Sequence, residues 1–241
     1  MTTERTTAKT AAAPLGAAAW VPVGITQRTL APDEFQEVRY GLDARWFPFL
    51  TACGLTGVPL PNDPETAVRT ARGLRLAGVI LTGGDSLAAY GGTSPGRDAT
   101  ERALLDWALA GHRPVLGVCR GTQMIMDYFG ARLSPVAGHV ATRHDVLTAE
   151  GPRAVNSYHR LAAARVPAPL VATAHCDGVV EAVGHTDAPV TGVMWHPERE
   201  SPFSPQDIGL VSTLFGTTPR ATVPHEEHEA HRSVPAEGGR R

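Results

Sequence analysis

The sequence predicts an α/β domain with three layers, in which helices cover both faces of a mostly parallel central sheet. Across residues 21–110, short apolar runs typical of buried strands alternate with segments of helical periodicity. A further strand-like run then leads through a glycine-flanked cysteine, at residues 117–121, into another helical segment. This order of strand, tight turn and helix is the layout of a nucleophile elbow.

The first half of the chain contains four strand–helix pairs. The predicted strands lie at 21–27, 55–60, 78–82 and 113–116, and the predicted helices at 42–53, 63–76, 97–110 and 122–130. Pro48 either kinks the first helix or marks its start. Asp63 followed by Pro64 is a favourable start for the second helix, because an acidic N-cap and a proline at the first position both suit helix initiation. A glycine- and serine-rich loop at 83–96 precedes the third helix.

The second half is richer in strands. Strands are predicted at 154–157, 170–175 and 179–183, and we expect them to flank the main sheet in antiparallel or mixed pairing. Another apolar run at 188–192 leads to His196. A last helix is expected to be capped by Ser204 and to run to residue 215, with Gly216 just beyond its end.

The chain is expected to form one domain at residues 21–217, between disordered tails at 1–20 and 218–241. With 241 residues and 42% hydrophobic content, it can bury a sizeable core. The formal net charge of −2 excludes a global basic field that would recruit nucleic acid or anionic lipid. No apolar run approaches the length of a transmembrane helix, so no membrane partner is expected.

Three cysteines, Cys53, Cys119 and Cys176, are widely spaced. An odd number without CxxC pairs argues against a disulfide framework or a thiolate zinc site. This cysteine usage favours a cytoplasmic location.

Cys119 is the predicted nucleophile. Gly117 and Gly121 lack the Cβ atoms that would clash in a strained strand-to-helix turn. The turn would place the sulfur at a helix N-terminus, where the helix dipole favours the thiolate form. A buried cysteine in a glycine-containing turn is the alternative interpretation.

His196 and Glu198 are the predicted base and its acidic partner. They lie two residues apart at a strand end, so their side chains point to the same side. Glu198 can then orient His196, which accepts the thiol proton, as in a Cys/His/acid triad. For a lone histidine, a satisfied residue at a strand end would be the simpler interpretation, but the two motifs together favour a triad.

Three segments carry a family resemblance: LTGGD at 81–85, GVCRGTQ at 117–123 and MWHPE at 194–198. In this order they resemble the class I glutamine amidotransferase-like superfamily, over roughly residues 21–216. Within it the chain is most similar to the free-standing γ-glutamyl hydrolases. The resemblance implies a class I glutaminase-like, flavodoxin-like fold.

Two backbone N–H groups are candidate oxyanion donors. One belongs to Arg120, directly after the nucleophile, and the other lies in the loop at Gly84, where a missing side chain lets the backbone approach a substrate oxygen. An ordinary turn after a strand is the alternative for this loop.

Four further residues are candidate substrate contacts because of the resemblance. Gln123 matches a family position beside the bound glutamyl group, although a helix-surface glutamine is an equal alternative. Asn156, Ser157 and Tyr158 match the family segment that receives the glutamyl α-carboxylate and α-amine; from their own chemistry they form only a polar strand end. His159 follows them and lacks an acid at the spacing that a base would need.

The expected function is hydrolysis of the γ-glutamyl amide bond of a small conjugate, through a γ-glutamyl thioester. Several segments look closer to γ-glutamyl-CDP-amidate hydrolases than to γ-glutamyl-γ-aminobutyrate hydrolases. The latter usually carry a Val-Asp-Pro pattern in the loop after the glycines, and this chain has Asp85-Ser86-Leu87-Ala88 there instead. The expected partner is therefore a small-molecule substrate, with a nucleotide-linked phosphoramidate as the leading example. Three alternatives stay open: γ-glutamyl-γ-aminobutyrate as substrate, a glutaminase that serves a separate synthetase, and a catalytically silent binding protein. A homodimer is also left open.

Charged and histidine-rich positions give weaker signals. Four arginines either converge on an anionic substrate or are scattered over the surface: Arg28, Arg45, Arg97 and Arg120. No metal or cofactor is predicted, because the internal histidines, including His139 and His144, lack a recognised zinc spacing. A run in the tail, His225, His228 and His231, is interpreted as solvated.

Overall fold

The computed structural model describes residues 20–31 and 34–220. Most of the two predicted tails lies outside these residues. At the ends of the described part, the Arg220 guanidinium lies 4.0 Å above the ring of Trp20. The backbone N–H of Arg220 also donates to the carbonyl of Ala52 at 2.8 Å. Within the described residues, no helix has the length and apolar character needed to cross a membrane.

A nine-stranded sheet forms the centre of the fold. Its strands, given in chain order, are β1 (Val21–Ile25), β4 (Leu55–Pro59), β5 (Val79–Leu81), β6 (Val115–Val118), β8 (Val140–Thr148), β9 (Gly151–Tyr158), β11 (Leu170–Cys176), β12 (Val179–His185) and β13 (Val190–Val193). Two short pairs lie outside it: β2 (Arg28–Thr29) with β3 (Tyr40–Gly41), and β7 (Ser134–Pro135) with β10 (Leu161–Ala162).

The strand order in the large sheet is β4-β1-β5-β6-β13-β12-β11-β8-β9. The first five strands are parallel, and the remaining four extend the sheet with antiparallel pairing. Strands β6 and β13 are neighbours, with Val118 opposite Val193. Their carboxyl ends therefore meet at one edge, which is where ligands bind in open α/β sheets.

Helices cover both faces of the parallel strands. The helices are α1 (Trp46–Ala52), α2 (Pro64–Gly73), α3 (Pro95–Ala110), α4 (Arg120–Tyr128) and α5 (Pro205–Phe215). Residues of α2, α3 and α4 share one apolar core with Val79 and Leu81, whereas residues of α1 and α5 share a second core with Ile80. Because side chains alternate along a strand, these two cores lie on opposite faces of the sheet. The predicted three-layer α/β fold is confirmed.

Several details differ from the sequence-based prediction, and three of them have a clear physical reason. The nucleophile strand runs to Val118 and its helix begins at Arg120, so the elbow turn is tighter than predicted. Strand β8 is absent from the sequence-based prediction, because most of its side chains are exposed or half-exposed and give no apolar alternation. Ser204 does not cap α5 with its side chain, since its hydroxyl accepts from Arg153 at 3.3 Å.

Candidate active site

Cys119 occupies the turn between β6 and α4. Its φ of 51° and ψ of −105° are rarely adopted by a residue with a side chain, and such strain is typical of a nucleophile elbow. The Cys119 N–H donates to the carbonyl of Val193 at 2.8 Å, which fixes the turn to β13. A Cβ on Gly121 would lie 1.9 Å from the carbonyl oxygen of Leu81, so only glycine fits where the helix meets β5.

His196 and Glu198 follow β13 and lie beside the elbow. Nδ1 of His196 is 2.7 Å from Oε1 of Glu198, and the ring also interacts with the Cys119 thiol. All three side chains are at most 5% exposed. Burial lowers the pKa of His196, but its hydrogen bonds and charge interactions with Cys119 and Glu198 outweigh burial and raise this pKa to about 9. The geometry therefore brings together a thiol, an imidazole and a carboxylate in the order that the sequence predicts.

Asn156 lies behind His196 and holds its backbone at two points. Oδ1 of Asn156 accepts from the His196 N–H at 2.9 Å, and Nδ2 donates to the His196 carbonyl at 2.9 Å. Nδ2 also donates to Oε1 of Glu200 at 2.7 Å. These contacts use the polar atoms of the Asn156 side chain, so its geometry suits positioning of His196 rather than the predicted direct contact with substrate.

Ser157 and Tyr158 follow Asn156 in β9, and their side chains make different contacts. The Ser157 hydroxyl is fully buried and donates to the carbonyl of His139 at 2.8 Å. Tyr158 is 43% exposed, and its ring packs edge-on against the His196 ring with centroids 5.6 Å apart. Of these two candidate substrate residues, Tyr158 is the one whose side chain contacts the His196 imidazole and is also exposed to solvent.

Gln123 lies one turn into α4 and is only 5% exposed. Its Nε2 donates to the carbonyl of Leu161 at 2.9 Å. The alternative of a helix-surface glutamine is therefore wrong. The hydrogen bond fixes the side-chain amide next to the short strand β10.

The glycine loop after β5 packs against the imidazole. A Cβ on Gly83 would lie 2.6 Å from Cε1 of His196. Gly84 has a φ of +145°, and a Cβ there would lie 2.6 Å from Nη1 of Arg97. The loop thus reaches the site through backbone alone, as a backbone oxyanion donor requires.

Three of the four arginines that the sequence singled out are held by protein groups. Arg97 and Arg120 are each 1% exposed and pair with the fully buried Glu101, which also accepts from Thr26. Burial raises the pKa of Glu101, but the two guanidinium groups outweigh burial and lower it. Arg45 donates to the backbone carbonyls of Glu198 and Glu200 at 2.9 and 2.6 Å.

A cleft of about 350 Å³ opens beside His196 and Glu198. One part of its lining is apolar and consists of Leu30, Leu42 and Trp46. Another part is charged and consists of Arg28, Asp43 and Arg199. Arg28 is the one predicted arginine that faces it. Arg199 was not singled out from the sequence, although it lies within the same WHPERE segment as the base; its guanidinium lies 4.9 Å over the Tyr158 ring.

The sequence profile of the class I glutamine amidotransferases matches residues 53–212, which include the elbow, the His–Pro–Glu segment and most of the sheet. The chain belongs to this family. Among its curated relatives is the γ-glutamyl-CDP-amidate hydrolase of Campylobacter jejuni, with 33% identity over 74% of this chain and 90% of the relative. A glutamine-hydrolysing GMP synthase component from Methanopyrus kandleri is 32% identical over 66% of this chain and 84% of the relative.

A solved structure has the same fold as this class I glutamine amidotransferase. It is a protein from Thermoplasma acidophilum described as a GMP synthase component, with a TM-score of 0.64 over 82% of this chain and 94% of that one. At 17% identity it supports the fold alone.

Proposed function

We propose that this class I glutamine amidotransferase is a cysteine-dependent hydrolase of the γ-glutamyl amide bond of a small conjugate. The observation that carries the proposal is the arrangement of Cys119, His196 and Glu198, in which the imidazole hydrogen-bonds Glu198 and interacts with the Cys119 thiol. The similarity over most of its length to a γ-glutamyl-CDP-amidate hydrolase supports the same reaction class.

In the proposed first step, the Cys119 thiolate attacks the γ-carbonyl carbon of the substrate. The negative charge passes to the carbonyl oxygen, which the backbone N–H groups of Arg120 and Gly84 would stabilise. His196 then donates its proton to the leaving nitrogen as the C–N bond breaks, and a γ-glutamyl thioester remains on Cys119.

In the proposed second step, His196 accepts a proton from water, and the resulting hydroxide attacks the thioester carbonyl. The C–S bond breaks, releasing glutamate and the free thiolate. Glu198 keeps the His196 ring in one orientation and stabilises its charged form throughout. Gln123 and the strand end at Ser157 and Tyr158 would border the glutamyl group.

The cleft beside His196 is the proposed position of the leaving group. Its apolar residues suit a ring system. The half-exposed guanidinium groups of Arg28 and Arg199 pair with Asp85 at 3.2 Å and Asp43 at 3.9 Å, and in this proposal they would turn to phosphate oxygens of the substrate. These features support a nucleotide-linked γ-glutamyl phosphoramidate as the substrate. We also propose that the protein forms a homodimer and is located in the cytoplasm.

Glutamate release from a panel of substrates tests this proposal. The panel contains γ-glutamyl-CDP-amidate, γ-glutamyl-γ-aminobutyrate and free glutamine, each supplied to the purified chain alone. We expect the nucleotide conjugate to have the highest kcat/KM. Arg199→Gln should raise KM more for this substrate than for free glutamine, whose leaving group is uncharged. The ratio between the two substrates is the readout, because Arg199 also lies 3.6 Å from Oε1 of Glu198. Equal kcat/KM for all three substrates would contradict the assignment of the leaving group.

The similarity to a glutamine-hydrolysing GMP synthase component favours one further candidate, a glutaminase that supplies ammonia to a separate synthetase. In that case the chain alone should hydrolyse all members of the panel poorly. Hydrolysis of glutamine should then rise strongly when a partner synthetase is added.

A further inference from the structure

A second group of polar side chains is buried in the antiparallel half of the sheet, outside the cysteine site. His139, His159 and Glu181 each place one potential ligand atom within 4.8 Å of the others. His139 directly precedes β8, His159 follows β9, and Glu181 lies in β12. The three residues are 5%, 2% and 0% exposed. A group of this kind needs a chemical explanation, because buried ionisable groups are costly unless they are paired or coordinate a metal.

The spacing within this group suits coordination of one ion. Nδ1 of His139 and Nε2 of His159 each lie 3.1 Å from the same oxygen, Oε1 of Glu181. In a tetrahedral zinc site with bonds of about 2.0–2.1 Å, neighbouring ligand atoms are about 3.3–3.4 Å apart. His144 is a further donor nearby, with Nε2 3.7 Å from the other Glu181 oxygen.

Protein hydrogen bonds leave much of this group unsatisfied. Among the described residues, four of its buried atoms have no hydrogen-bond partner: Nδ1 of His139, Nε2 of His144, Nδ1 of His159 and Oε2 of Glu181. The one hydrogen bond between its members joins His159 to Glu181. Buried polar atoms in native proteins almost always have partners, and a cation bound within the group would supply one for the His139, His144 and Glu181 atoms.

We propose that His139, His159 and Glu181, with His144 as the nearest fourth donor, bind a divalent ion of the zinc class. Imidazole nitrogens with one carboxylate suit zinc or cobalt, whereas magnesium and calcium prefer an all-oxygen set. This proposal replaces the sequence-based expectation of no metal. That expectation considered spacing within one helix or knuckle, but these donors come from separate strands that pairing brings together.

The ion would act as a structural cross-link. It would join the ends of β8 and β9 to β12, in the antiparallel half of the sheet. The Ser157 hydroxyl already holds the backbone of His139, and Asn156 beside it braces His196. Because a ligand that binds only the folded state stabilises it, occupancy should raise Tm.

The test uses the untagged full-length chain in a background that removes two competing zinc sites. Cys119→Ser eliminates the thiol beside His196. The second competing site is the histidine run in the tail, and it is eliminated by replacing three residues with asparagine: His225, His228 and His231. The protein is loaded with zinc, desalted and analysed for metal content. Cobalt is loaded in parallel because its visible absorption reports the coordination geometry. Hydrolysis is not needed for either readout.

The expected result is one zinc per chain, a tetrahedral cobalt spectrum and a higher Tm with zinc. Glu181→Gln and His139→Asn should each abolish stoichiometric binding, whereas the neighbouring changes His175→Asn and Cys176→Ser should retain it. If Glu181→Gln does not fold, His139→Asn and His159→Asn decide the outcome. The proposal is overturned by substoichiometric zinc in the background protein, by retention in both ligand variants, or by loss in Cys176→Ser, which would indicate a His139–His144–Cys176 set instead.

Discussion

The side-chain amide of Asn156 forms a two-point hydrogen-bonded pair with the backbone of His196, at 2.9 Å on each side. This contact joins β9 to His196, which lies three residues after the end of β13. It fixes the peptide groups on both sides of the imidazole, so the position of the proposed base depends on a residue 40 positions earlier in the chain.

Asn156→Ala is expected to lower kcat about 100-fold with little change in KM, because misplacing a catalytic group by about 1 Å costs roughly that factor. Steady-state kinetics on the best γ-glutamyl substrate would measure both constants. Glu200→Gln serves as the control, since it keeps an acceptor for Nδ2 of Asn156. A rise in KM at nearly normal kcat would instead support the sequence-based assignment of Asn156 to substrate binding.

The raised pKa of His196 predicts the alkaline limb of the reaction. The imidazolium must protonate the leaving amine, and the pKa of about 9 keeps the ring protonated through neutral pH. We therefore expect kcat/KM to fall as the pH rises through about 9. Glu198→Gln removes a negative charge that raises this pKa, so the limb should move to lower pH while kcat falls less than in His196→Ala. An unchanged limb would contradict the contact between Glu198 and the catalytic ring.

The same shift in the His196 pKa affects stability. A group with a raised folded-state pKa contributes stability that is present below its ordinary value of 6.5 and is lost as the pH rises through about 9. Tm should therefore decline across this window, and it should decline less in His196→Asn.

Gly84→Ala tests the backbone donor in the glycine loop. A Cβ at this position would lie 2.6 Å from Nη1 of Arg97 and 3.0 Å from Cγ of Arg28, so the loop must shift. We expect kcat to fall about 10²–10³-fold, as for loss of one oxyanion donor. Gly91→Ala is the matched control, because Gly91 also has a positive φ, of +86°, but no atom within 4 Å of an added Cβ. It should lower Tm and leave kcat intact; equal loss of kcat in both variants would argue against a donor at Gly84.

Glu101→Gln tests the buried ion network beneath the elbow. The change removes the carboxylate that Arg97 and Arg120 share and leaves Asp98 as the remaining partner of Arg120; removing one member of a buried pair typically costs about 3–5 kcal/mol. Urea denaturation would measure this loss. Since the folded-state pKa of Glu101 is lowered, its contribution is present above its ordinary value of 4.5 and is lost as the pH falls further. Glu65→Gln, which breaks an exposed pair with Arg69, should have little effect by comparison.

The parallel half of the sheet and the cysteine, histidine and glutamate positions could be predicted because their signals are local. Apolar runs specify buried strands, and Gly117 and Gly121 are needed by the turn itself. The spacing of His196 and Glu198 is also local, since a period of two directs both side chains to one side.

The rest depends on contacts between distant parts of the chain. From the sequence, Arg97 and Arg120 are either substrate contacts or surface cations, and neither interpretation includes the buried Glu101 with which both pair. His159 has no acid near it in sequence, yet Glu181 approaches its Nε2 to 3.1 Å from β12. Strand pairing brings such partners together, and no local pattern in one sequence records it.

The identity of the nucleophile is the central claim, and covalent trapping tests it most directly. The purified chain would be incubated with a diazo-ketone analogue of glutamine, followed by intact mass measurement and peptide mapping. We predict one adduct per chain, on Cys119, that is absent from Cys119→Ala and slow to form in His196→Ala. Cys53 and Cys176 should stay unmodified, because burial raises the pKa of both thiols and so disfavours the reactive thiolate. No adduct, or an adduct that persists in Cys119→Ala, would contradict the assignment of Cys119 as the residue that attacks the γ-glutamyl carbonyl.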